Sequence, residues 1–101
     1  MSFTETVKDI VSKEGYASAE EFARDGAVVL GLSRVEQYKA EIEYFEKKYG
    51  MTFEEFESLV HRQKGREDFA KEADAEDWEF AFEALRWWKA KVEELQDAYS
   101  S

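Results

Sequence analysis

The sequence predicts an all-α protein, a helical bundle built on a long antiparallel coiled-coil-like helix pair with short helices beside it. Three observations carry that prediction. The 101 residues contain no proline, and Glu, Lys and Ala, which keep most of their rotamer freedom in a helix, are abundant. Apolar side chains recur at helical spacing, most clearly at Val35, Tyr38, Ile42, Phe45 and Tyr49, where the steps of 3, 4, 3 and 4 line one face. Finally, the pair Ser/Thr-x-x-Glu, in which the hydroxyl accepts from an orphan amide and the Glu side chain bonds back, occurs at Ser2–Glu5, Ser18–Glu21, Ser33–Glu36 and Thr52–Glu55.

Taken in order, these signals place helices at about 3–13, 18–31, 33–49, 53–63 and 74–98. Gly15 and Gly50 fall where a left-handed residue closes the preceding helix. Thr52 opens the next, with Met51 and Phe56 at the two positions of a hydrophobic staple. Gly31 followed by the Ser33 pair argues for a break or kink between the second and third helices, and the unbroken polar-apolar rhythm on either side for one bent helix; the break or kink is the expectation. Arg62-Gln63-Lys64-Gly65-Arg66 reads as a loop. In the last helix Trp78, Leu85, Val92 and Tyr99 repeat every seven residues and Ala81, Trp88 and Leu95 fill the second seam position. Pairing that seam with Val35–Tyr49 makes 33–98 a hairpin-like core within one domain, with 1–31 as helices available for dimerisation.

Charge bounds the function. There are 14 basic and 24 acidic residues, a net charge of −10, and residues 66–101 hold 11 of the acids against 5 basic residues. Between Glu67 and Glu83 eight acids face only Lys71. Such a segment repels phosphate backbones and anionic lipid and attracts basic proteins, so direct nucleic-acid binding by the chain alone and membrane association are not expected. Without cysteine there is neither a disulfide framework nor a thiolate metal site. No charged-then-apolar leader pattern and no apolar run of about 20 residues is present, which makes cytoplasmic the expected location.

Little in the sequence supports catalysis. His61 stands four residues after Glu57 with no further metal ligand, and reads as a helix-end histidine. No phosphate-binding glycine loop, nucleophile elbow or calcium loop can be assembled, so no catalytic residue, cofactor or metal is expected. The acids Asp74, Glu76, Asp77 and Glu79 crowd the expected start of the last helix, where its dipole favours them. Aromatics are the sharper signal. Trp78, Phe82 and Trp88 suit a helical core, whereas Phe80 and Trp87, seven residues apart, share a flank of the seam. Exposed aromatics rimmed by acids suit a protein interface. The candidate partner-binding set is therefore Glu72, Asp74, Glu76, Asp77, Glu79, Phe80, Glu83 and Trp87.

Two stretches resemble known families. Val7-Lys8-Asp9-Ile10-Val11, Glu14-Gly15-Tyr16-Ala17-Ser18 and Glu21-Phe22-Ala23-Arg24-Asp25 resemble the two helices of ribbon-helix-helix proteins, which implies dimerisation. The chain departs from that pattern in lacking room for the DNA-reading strand, so no DNA-reading residue carries over. YKAEIEYFEKKYGMTFEEFE, followed by a polar loop and the acidic WEFAFEALRWW helix, is similar to small acidic prokaryotic antitoxins. That resemblance implies a non-enzymatic protein that binds and occludes a basic toxin, commonly a ribonuclease. A homodimer or other homo-oligomer is expected through the N-terminal helices. A self-associating structural or regulatory helical protein is the alternative expectation, and a DNA-binding regulator the third.

Overall fold

A computed structural model of the chain describes residues 2–62 and 68–100. They form four helices: α1 (Phe3–Lys13), α2 (Ala19–Tyr49), α3 (Phe53–Arg62) and α4 (Phe69–Ser100). The expected loop around Gly65, and Glu67 at the head of the acidic segment, lie outside the described residues.

Local chemistry sets most of the boundaries. Ser2 accepts the Glu5 amide at 3.1 Å to open α1. Ser18 does the same for Glu21 at 3.1 Å, and the Glu21 carboxylate accepts the Ala17 amide at 3.0 Å. Thr52 accepts the Glu55 amide at 3.2 Å to open α3. At the end of α1 the Tyr16 amide reaches back to the Val11 carbonyl, and Gly15 takes a φ of 90° that an L side chain resists. Gly50 ends α2 at φ 63°, donating to the Glu46 carbonyl at 2.7 Å.

Two expectations are corrected. The break at 31–33 does not occur, because α2 runs unbroken for 31 residues. Gly31 keeps an ordinary helical φ and serves another purpose: it is buried where α2 meets α4, and a Cβ built on it would lie 2.6 Å from Val92 Cγ2. The missing side chain admits a neighbouring helix, and the Ser33 pair lies in the middle of α2 and caps nothing. The last helix also starts earlier than position 74. Asp68 accepts the Lys71 amide at 3.2 Å and the helix begins at Phe69, so Asp74, Glu76, Asp77 and Glu79 stand beyond its first turn. An Asp cap without a Glu three residues later escapes the Ser/Thr-x-x-Glu pattern.

α2 and α4 pack antiparallel along their length: Lys48 at the C-terminal end of α2 meets Asp74 near the start of α4, Phe45 stacks on Trp78, and Gly31 meets Val92. α3 folds back over α4 and closes the end containing the core, which we call the proximal end. There Ile42, Phe45, Phe56, Trp78 and Ala81 are buried, with Tyr38, Tyr49, Met51, Phe53, Phe82 and Leu85 packed around them. Trp78 is fully enclosed, its ring meeting Phe45, Phe53 and Phe56 at centroid distances of 5.5, 5.5 and 5.4 Å. The expected seams of α2 and α4 thus form the helix–helix contact, with Tyr99 outside the residues whose side chains are described.

The other, distal, end is thin. There the N-terminal half of α2 packs on the last part of α4, and α1 packs on α2. The whole measures 62 × 33 × 19 Å and has a radius of gyration of 20.3 Å, against about 13 Å for a compact domain of this length.

One polar cluster ties the proximal end. The Asp74 carboxylate accepts from Lys48 Nζ at 2.6 Å and from the Tyr49 hydroxyl. These two bonds, with Lys48 the larger influence, hold the Asp74 carboxyl below the usual carboxylate range. Burial and the bond to Asp74 push the Tyr49 phenol up to about 12. Asp74 therefore contributes stability above its unfolded pKa near 4, and that contribution disappears as pH falls through the still lower folded value. Tyr49, favoured in its neutral form, contributes below pH 10 and loses its contribution as pH rises toward about 12. The expected melting temperature is flat between about pH 5 and 9 and falls outside that window. Asp74→Asn should lower the plateau and shrink the acid limb, as read by circular dichroism melts. An acid limb of unchanged size in Asp74→Asn would assign it to other carboxylates.

Candidate protein-binding flank

Helical geometry sorts the candidate residues into three groups. At 100° per residue, Glu72, Glu76, Glu79 and Glu83 form one stripe on α4, Phe80, Trp87 and Asp77 fall on a second side toward α2, and Asp74 points with the core positions. Glu72, Glu76 and Glu79 line a shallow depression against α3, opposite Glu57, Val60 and His61, and Glu83 stands exposed one turn further along. Asp74 is set apart from this stripe by its bonds to Lys48 and Tyr49.

α3 decides which aromatics are covered. It packs on the side of α4 that carries Ala75, Glu79 and Phe82, and Phe53 meets Phe82 at 5.5 Å. Among the described residues no third helix covers the opposite side, where Phe80 is 60% exposed and Trp87 54% exposed. Phe80 meets the Tyr38 ring edge-on at 6.0 Å, and Trp87 meets Trp88 edge-on at 4.9 Å. The Lys91 ammonium stands 5.6 Å from the Trp87 ring centre and pairs with Glu94 at 3.1 Å.

α2 supplies the other wall. Tyr44, 58% exposed, lies on the same side as Phe80. Between them runs a groove of about 580 Å³ floored by Tyr38, Ala40 and Phe45 and edged by the carboxylates Glu41 and Asp77. A second groove of about 330 Å³ continues the same flank toward the distal end, between Ala27, Leu30 and Gly31 of α2 and Trp87, Trp88, Val92 and Leu95 of α4. Leu30, Gln37, Glu41 and Tyr44 on α2, at spacings of seven, four and three, and Asp77, Phe80 and Trp87 on α4, at three and seven, keep to one side of each helix, so the grooves form one flank of the helix pair. Its exposed large side chains are Leu30, Tyr44, Phe80 and Trp87.

Reading the sequence by its seams identified Phe80 and Trp87 but missed Tyr44, Leu30 and Glu41. Tyr44 had a signal: it falls outside the Val35–Tyr49 stripe, as Phe80 falls outside the stripe of α4. Among the described residues, no group of three His, Cys, Asp or Glu side chains could hold a metal ion, and no helix is long and apolar enough to cross a membrane. His61 is exposed, with Nε2 3.9 Å from Glu57. Comparison with protein-family models, curated proteins and solved structures finds no match to this chain.

Proposed function

We propose that the chain is a non-enzymatic protein-binding module and that its open flank receives a basic protein. The observation that carries this reading is the apolar groove edged by Glu41 and Asp77 and flanked by the exposed Tyr44, Phe80 and Trp87. Large aromatics at the centre of a surface with charge at its rim are the arrangement in which a few residues hold most of the binding free energy. The net charge of −10 selects a cationic partner and speeds its approach, while the aromatics set the lifetime of the complex. Glu76, Glu79 and Glu83 extend the negative field along the neighbouring face of α4.

In its specific form the partner is a toxin and the chain its antitoxin, acting by occlusion. This form draws on the antitoxin-like YKAEIEYFEKKYGMTFEEFE and WEFAFEALRWW segments. It requires a basic partner whose expression alone arrests growth and whose effect is relieved by co-expression of this chain.

The test uses the tagged full chain and Phe80→Ala/Trp87→Ala in parallel. Both positions are exposed, so helicity should be unchanged. Affinity for the partner should fall by roughly 1,000-fold, the effect of removing two interface anchors of about 2 kcal/mol each. Association of the unsubstituted chain should slow as salt is raised. Undiminished binding by the double variant, or an acidic partner, would sink the proposal.

A further inference from the structure

A second surface lies at the distal end, and the physical argument for its occupant is different. Gly26-Ala27-Val28-Val29-Leu30-Gly31-Leu32 carries no charge in a chain where 38% of residues are charged. Within a helix these seven residues point in every direction, so α2 is apolar around its whole circumference here. A helix of that kind is normally enclosed on all sides. In this chain α4 covers only one side, at Gly31 and Val92. Val29 is 68% exposed, and Leu30 and Leu32 are exposed on either side of it. Phe22, two turns before Val29 on the same outer face, is exposed as well.

The surface area gives the scale of what is uncovered. The chain exposes 7739 Å², whereas a compact monomer of 11.8 kDa exposes about 5,900 Å². The excess of roughly 1,800 Å² is about twice the 800 Å² that each partner buries in a stable interface. The radius of gyration points the same way: the elongated fold exposes more surface than a compact one of the same length.

Charge chooses between the available partners. A second copy, itself at −10, is repelled by the acid-edged flank and by the glutamate stripe of α4. Around Val29 the barrier is smaller, because the span between Asp25 and Arg34 is uncharged and that face carries only Asp25 one turn before Val29 and Glu36 two turns after it. A basic partner gains nothing electrostatically from that span. Gly26 adds a geometric point. The absent side chain of Gly31 is used by Val92, but a Cβ on Gly26 would meet nothing within 4 Å. Glycine inside a helix costs about 1 kcal/mol relative to alanine, and at Gly26 no contact within the chain explains it.

We infer that two copies of the chain associate through the outer face of α2 between Phe22 and Leu32, with Phe22, Val29 and Leu32 in contact and Leu30 left to the flank. The contact is isologous, each copy presenting the same patch, and so closes at the dimer. It leaves the Phe80–Trp87 flank to a different protein, making the assembly bivalent.

Sedimentation equilibrium of the full chain, over micromolar to submillimolar concentrations, tests this. The expected mass is twice 11.8 kDa. Val29→Asp should return it to the monomer with an unchanged far-ultraviolet spectrum, because Val29 is exposed within one chain. Leu32→Glu carries the same test should Val29→Asp lose helicity. Phe80→Ala/Trp87→Ala should remain dimeric, which separates this surface from the flank. A monomer throughout the concentration range, or an assembly that survives both charged substitutions, would overturn the inference.

Discussion

Trp78→Ala is expected to abolish the cooperative thermal transition of the chain, or to leave only a shallow one near room temperature. Trp78 is fully buried, and its ring is shared by residues of three helices: Phe45 and Tyr49 of α2, Phe53 and Phe56 of α3, and α4 itself. Truncating a buried tryptophan costs about 3–5 kcal/mol, from lost transfer free energy and from the void that remains. Whole domains are stable by only about 5–15 kcal/mol, and an elongated chain of 101 residues with its main core at one end belongs low in that range.

Trp78→Phe should be much milder. It keeps an aromatic ring in the stack and removes the indole N–H, which is buried without a hydrogen-bond partner among the described residues. A buried unpaired donor costs about 1–3 kcal/mol, so its removal offsets part of the lost volume. Urea or thermal unfolding followed at 222 nm distinguishes the variants. A cost below about 1 kcal/mol for Trp78→Ala would show that the five-ring cluster does not organise the core.

Gly31→Val is the second large effect, and it acts at the other end of the molecule. Its Cβ would sit 2.6 Å from Val92 Cγ2, well inside contact distance. Val92 is 94% buried and β-branched, and in a helix one χ1 rotamer dominates, so its methyl group cannot swing aside freely. The helices must separate, at a cost of about 1–3 kcal/mol for overpacking. Val92→Ala in the Gly31→Val background removes the obstructing methyls and should recover most of that loss. The comparison is a double-mutant cycle measured by chemical denaturation. Additive costs, with no recovery, would mean that Gly31 and Val92 do not touch in solution.

Most of the helical layout could be read before any tertiary information. The Ser2, Ser18 and Thr52 caps, the left-handed Gly15 and Gly50, and the seams Val35–Tyr49 and Trp78–Leu95 depend on hydrogen bonds and spacings within a few residues of each other. Gly31 was misread for a definite reason. Glycine marks a helix end when it adopts positive φ and marks close packing when it does not, and the residue that distinguishes the two cases, Val92, lies far away in sequence. Asp74 was grouped with its acidic neighbours because Lys48 and Tyr49, which engage it, come from another helix.

The candidate site shows the same division. That Phe80 and Trp87 lie off the seam of α4 follows from their spacing. That they are exposed follows from where α3 docks, since a short helix folded over Phe82 leaves the opposite side bare. Tyr44 joins them only because α2 and α4 run antiparallel in a register that sets it beside Phe80. The amino-acid sequence by itself determined helix content, capping, the two apolar seams and the acidic balance, because each arises from the chemistry of near neighbours. Tertiary structure alone decided the continuity of α2, the partners of Asp74 and which apolar faces stay open. Those outcomes depend on which side chains meet across helices, and separation along the chain does not encode that.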